Sequence, residues 1–152
     1  MSTRATSSVL GVVLLTAVAV FAAATVGATV LTATPERPPR ASLDLRVNAT
    51  ADRVALVHRG GDRLRVDRLR VRVWVDGQPL AHQPPVPFFA AEGFESGPTG
   101  PFNSAADGRW SAGERASLTL ASTNEPRLHA GASVRVAVYQ GEYRVAVLRT
   151  TA

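Results

Sequence analysis

The sequence predicts an N-terminal transmembrane α-helix followed by an all-β domain, an antiparallel sandwich of immunoglobulin-like type. Three observations carry this expectation. No charged residue lies between Arg4 and Glu36, the chain beyond Arg40 alternates apolar and polar residues, and turn signals separate the alternating stretches with no amphipathic helix pattern among them.

The helix comes first. Val9 to Leu31 reads VLGVVLLTAVAVFAAATVGATVL, and at about 1.5 Å per residue it would be roughly 35 Å long. A bilayer's hydrocarbon core is about 30 Å thick, so this run can span it with some tilt. Only Thr16, Thr25 and Thr29 interrupt it with polar atoms, and each hydroxyl can return to a carbonyl one turn back. Residues 1–8 form a polar head with one charge, Arg4. Residues 32–40, TATPERPPR, contain three prolines, which end a helix and favour an extended tether. Residues 41–152 are left for the β domain.

Within that domain, Leu43, Leu45 and Val47 share one face of a first strand, with Asp44 and Arg46 on the other. Val54 to Val57 forms a short apolar strand, and Gly60-Gly61-Asp62 is a turn signal. Leu64 and Val66 are out of phase with Leu69, Val71, Val73 and Val75, so a bulge or bend is expected at Asp67-Arg68. Asp76-Gly77 closes that strand. Residues 83–108 are rich in Pro, Gly and Phe and read as a long loop, with a short edge strand near Val86 to Phe89. Trp74, Phe88, Phe89, Phe94, Phe102 and Trp110 bracket it and are expected to pin it to the sandwich; the competing reading is a sticky surface for a partner. Ala116 to Ala121 places Leu118 and Leu120 together. Finally, a two-residue turn at Gln140-Gly141 would pair Val138 with Tyr143, Val136 with Val145 and Val134 with Val147, collecting the β-branched residues on one side.

The bulk properties exclude several functions. With no cysteine, the chain has no disulfide, thiol nucleophile or thiolate metal site. Net charge is +5 and every basic residue is arginine. No nucleic-acid motif accompanies that charge, so nucleic acid is not an expected partner. Acidic lipid headgroups or anionic surface polymer suit it better, and arginines lining the solvent faces of strands explain it most simply. His58, His82 and His129 are the only histidines, and none has a partner at ligand spacing. HExxH, GxSxG, paired-carboxylate and phosphate-loop motifs are absent, and Gly93 to Gly100 has no helix pattern or terminal lysine after it. The chain is expected to be no enzyme and to need no cofactor or metal. Asn48-Ala49-Thr50 is a sequon for N-glycosylation at Asn48.

Arg4-Ala5-Thr6-Ser7-Ser8-Val9-Leu10-Gly11-Val12-Val13-Leu14 resembles the start of archaeal type IV pilins, where a basic and a small residue precede a prepilin-peptidase cut and a long apolar helix follows. Weaker similarity to pilin-like proteins of haloarchaea covers residues 54–75 and 110–148, including Trp110-Ser111-Ala112-Gly113-Glu114. The resemblance implies a leader-processing site at Arg4 and Ala5 with Thr6 as the mature N-terminus. It also implies partners in membrane lipid, the prepilin peptidase and other pilin subunits bound through the helix. Leu10 stands where bacterial relatives carry a glutamate. The implied role is a structural or adhesive subunit, anchored as a single-pass protein with its C-terminal domain outside and assembled into surface filaments. Two alternatives are a membrane-anchored sandwich that binds a partner without polymerising, and a domain released by signal peptidase after Val26-Gly27-Ala28.

Overall fold

In the computed structural model, residues 3–32 and 37–152 are described, and within the helix the side chains from Val9 to Ala23. The chain divides into two units, Met1–Arg37 and Pro38–Ala152.

The first unit is the helix α1, Thr3–Thr32. It begins within the expected polar head, because residues 3–8 contain no Gly or Pro to stop it and extending a helix is easier than nucleating one. From Val9 to Ala23 every side chain is exposed, including Leu10, Leu14, Leu15 and Phe21. The Thr16 hydroxyl lies 2.9 Å from the carbonyls of both Val12 and Val13, so it donates within the helix. Among the described residues no helix is long and apolar enough to cross a membrane. The described side chains stop short of the ~20 residues a span requires, and Thr25, Thr29 and residues 26–28 lie outside them.

The second unit is built from nine short strands: β1 (Ala41–Asn48), β2 (Arg53–Gly61), β3 (Leu64–Arg65), β4 (Leu69–Val75), β5 (Gln78–Pro79), β6 (Arg109–Trp110), β7 (Arg115–Thr119), β8 (Ser133–Gln140) and β9 (Tyr143–Thr151). They form sheets ordered β1-β2-β7, β3-β6 and β5-β4-β8-β9, and every strand pairing is antiparallel. One core joins the sheets. Leu43, Val54, Leu56, Ala116 and Leu118 come from the three-stranded sheet, and Val71, Val73, Val75, Val134, Val136 and Val138 from the four-stranded one.

The break at Asp67-Arg68 is a single 3-10 turn, Val66–Arg68. It lets one run of sequence serve two sheets: Leu64 pairs with Trp110 before the turn, and Leu69 begins the pairing with β8 after it. Asp76 and Gly77 both have positive φ (51° and 82°), the pattern of a type I′ hairpin turn. By contrast, Gly60 and Gly61 are not a turn. β2 runs through them to pair with Ser42 and Ala41, and a Cβ at Gly61 (φ +97°) would collide with the Arg40 carbonyl.

The last hairpin forms, but its register differs from the expected one. Gly141-Glu142 is the turn, with positive φ only at Gly141, as in type II′. Gln140 therefore pairs with Tyr143 and Tyr139 with Arg144. A bulge between Val138 and Tyr139 then sets Val138 opposite Ala146, Val136 opposite Leu148 and Ala137 opposite Val147. A register slip exchanges faces, so Ala146 and Leu148 pack on the core while Val147 is 44% exposed.

The 83–108 segment is a loop, as expected, but Val86 to Phe89 is not a strand; Phe88 makes only an isolated bridge to Asn103. Phe88, Phe94, Phe102 and Trp110 are buried and hold the loop, whereas Phe89 is 62% exposed and Trp74 lies away from it on the four-stranded sheet. Buried Asn124 adds a polar clamp, accepting from the His82 N–H and donating to the carbonyls of His82 and Gly93. Gln83 works similarly, accepting from Val73 N–H and donating to Val73 O, which satisfies the β4 edge where β5 ends.

Candidate functional site

The helical unit carries the first candidate. A water-exposed helix buries one stripe, and one that is apolar all round belongs in a protein core or in lipid. From Val9 to Ala23, α1 presents Val, Leu, Ala and Phe in every direction. Each exposed Leu or Phe side chain gains roughly 1.5–3 kcal/mol when withdrawn from water, so this surface must be covered. Arg4, Ala5 and Thr6 lie on the helical backbone at its N-terminal end; their side chains are outside those described.

In the β unit each histidine has its own set of neighbours. His58 is fully buried on β2, its Nε2 3.0 Å from the Asp62 carbonyl and its ring edge-on to Trp110 at 5.8 Å. The Trp110–Glu114 segment encloses it: Trp110 Nε1 donates to the Glu114 carbonyl, that carbonyl accepts from His58 N–H, and Gly113 N–H donates to His58 O. Among the described residues, His58 Nδ1 has no hydrogen-bond partner. His82 lies 3.7 Å from the exposed Glu92 carboxylate. Among the described residues, no group of three His, Cys, Asp or Glu could hold a metal.

His129 has a partner that sequence reasoning missed, 53 residues away. Its Nε2 lies 2.7 Å from Asp76 Oδ2, while the Ser133 N–H donates to Asp76 Oδ1. The Asp76 hydrogen bond, then that to the Ala130 carbonyl, raises the His129 pKa above its ordinary value. Asp76 is lowered, first by the Ser133 N–H and then by His129. His129 therefore contributes stability below its unfolded pKa of about 6.5, lost as pH rises through the elevated folded value. Asp76 contributes above its unfolded value, and that part is lost as pH falls through the lowered one. The thermal midpoint should decline above about pH 6.5, and His129→Gln should flatten that decline in a series of melts from pH 5 to 9.

Asn48 ends β1 and is exposed. Its Oδ1 accepts from Ala51 N–H at 3.0 Å, fixing the turn that leads into β2. The sequon thus occupies an accessible strand end.

Comparison with known proteins bears on the helix. Residues 4–43 match the family described as Archaeal Type IV pilin, N-terminal, which agrees with the resemblance read from Arg4 onwards. An uncharacterized protein of Archaeoglobus fulgidus is 36% identical over 76 residues, 48% of this chain. The chain spans about half (54%) of that curated relative's length. The N-terminal end of the chain is thus similar to that of archaeal type IV pilins.

Proposed function

We propose that the chain is a structural and adhesive pilin subunit, held in the membrane by residues 9–31 with an extracellular β module of immunoglobulin-like type. The observation that carries this reading is the helix apolar on all sides, lying inside the 4–43 pilin match. Prepilin peptidase cuts between Ala5 and Thr6, removing the positive head and leaving the helix attached. Assembly exchanges lipid contacts for neighbouring helices at little hydrophobic cost. Ala17, Ala19, Ala22, Ala23, Ala24, Gly27 and Ala28 supply the small surface such packing uses. Asn48 carries N-linked glycan at the exposed end of β1.

A second reading, an anchored β module that binds a partner without polymerising, is favoured by Leu10. An apolar residue there gives helices no acidic group to register one subunit against the next. Shearing separates the two. A polymerising subunit appears in the sheared surface filaments, whereas an anchor stays wholly with the membrane. Ala5→Leu places a bulky side chain at the cleavage site and should leave an unprocessed, membrane-retained precursor. Normal processing and filament incorporation of that variant would contradict the assignment of Ala5.

A further inference from the structure

The outer face of the sheet β5-β4-β8-β9 collects arginines in a way that the pilin reading does not use. Directly paired residues on neighbouring strands project to the same side. The register therefore builds three rows across the face: Arg70–Tyr139–Arg144, Arg72–Ala137–Val147 and Trp74–Arg135–Arg149. Five of these nine positions are arginine and none is acidic. The face thus carries as much positive charge as the whole chain's net of +5. Among the described residues none of the five guanidiniums is in an ion pair, whereas Arg59, Arg65 and Arg127 elsewhere are matched to Asp44, Asp67 and Asp52. The outer face of β1-β2-β7 also has arginines, Arg46, Arg53 and Arg115, but Asp44 sits among them.

The geometry narrows what such a face fits. Arg135 lies 4.0 Å over the Trp74 ring and Arg70 4.9 Å over the Tyr139 ring. Each ring thus holds a cation in place and has one face already covered, which disfavours stacking of bases or sugars. A sheet face is broad and shallow, unlike the groove that tracks a single polymer chain. Arginine with Trp and Tyr is also the composition found at the headgroup level of membranes. Chain length adds an independent reason. Eight residues separate Thr32 from Ala41, a reach of at most about 29 Å at 3.6 Å per residue. A module on so short a tether meets the headgroups at high effective concentration.

We infer that this arginine face docks the β module onto an anionic lipid surface, storing the subunit against the membrane before assembly. The inference rests on the anchored reading above. Each arginine near an anionic surface strengthens association about fivefold, and added salt screens the attraction.

The test uses the full chain in nanodiscs of phosphatidylcholine alone or with three-tenths phosphatidylglycerol, each carrying a headgroup spin label. The chain's two tryptophans make it self-controlled: Trp74 lies on the face and Trp110 is fully buried. Trp74 emission should be quenched at least twofold more in the anionic discs, and Trp74→Phe should remove that quenching. Addition of 0.5 M salt, or Arg72→Glu with Arg149→Glu, should reduce it to the neutral-disc level. Equal quenching in both discs would overturn the inference. So would arginine-dependent binding of a polyuronate or duplex DNA while quenching stays equal, since the face would then be a polymer site. A chain that fails to co-elute with discs contradicts the anchored reading itself. Co-elution without selective quenching contradicts only the docking.

Discussion

Trp110→Ala should remove a large share of the β module's folding stability, an expected loss of about 3–5 kcal/mol against a typical domain total of about 5–15. Trp110 is the largest fully buried side chain and sits where three pieces of structure meet. On β6 it pairs with Leu64, securing the short sheet ahead of the 3-10 turn. Its ring meets Phe102 edge-on at 5.4 Å, tying down the 83–108 loop, and His58 on its other side. Its indole N–H satisfies the Glu114 carbonyl at 3.2 Å, so alanine removes a donor as well as opening a cavity. Urea denaturation followed by near-UV circular dichroism should show a large fall in midpoint. Little change would mean that the loop and the short sheet are held independently of this ring.

The second large effect concerns the helix. Leu14→Asp with Val18→Asp places two carboxylates one turn apart, both at positions now exposed and apolar. Each Asp near the centre of a spanning helix costs about 2.5–3.5 kcal/mol on insertion. The pair should lower membrane partition by several orders of magnitude, moving the chain to the supernatant after carbonate extraction. A protein whose helix is covered by another polypeptide, and not by lipid, would be released by carbonate even without the substitutions. Thr16 shows why the native sequence avoids this problem: its one polar group within Val9–Ala23 is already satisfied by the helix's own carbonyls.

Much of this architecture is legible in the residues because it depends on local pattern. The apolar run fixed the helix, period-2 alternation fixed β1, β4, β7 and β8, and the phase slip at Asp67-Arg68 marked where the chain changes sheets. Pairing register was less legible because it turns on a single glycine. Placing Gly141 first in its turn moves the pairing, and the bulge between Val138 and Tyr139 moves it further. The collection of β-branched residues on one side suggested that Val145 and Val147 face inward. Val145 does pack against the core, together with Ala146 and Leu148, whereas Val147 and its partner Ala137 lie on the arginine-bearing side. Long-range polar partners left no trace in sequence spacing. His129 with Asp76, and Asn124 with His82 and Gly93, are joined by loops whose course alternation cannot specify. The arginine face was hidden for the same reason, since its rows exist only once β4, β8 and β9 are in register.

The most direct test of the anchored pilin subunit is the intact mass and N-terminal sequence of the native protein taken from its own cells. A chain beginning at Thr6 and recovered in the membrane or filament fraction is the expected result. A water-soluble chain beginning near Thr29 would contradict it, because the helix that defines the subunit would have been discarded.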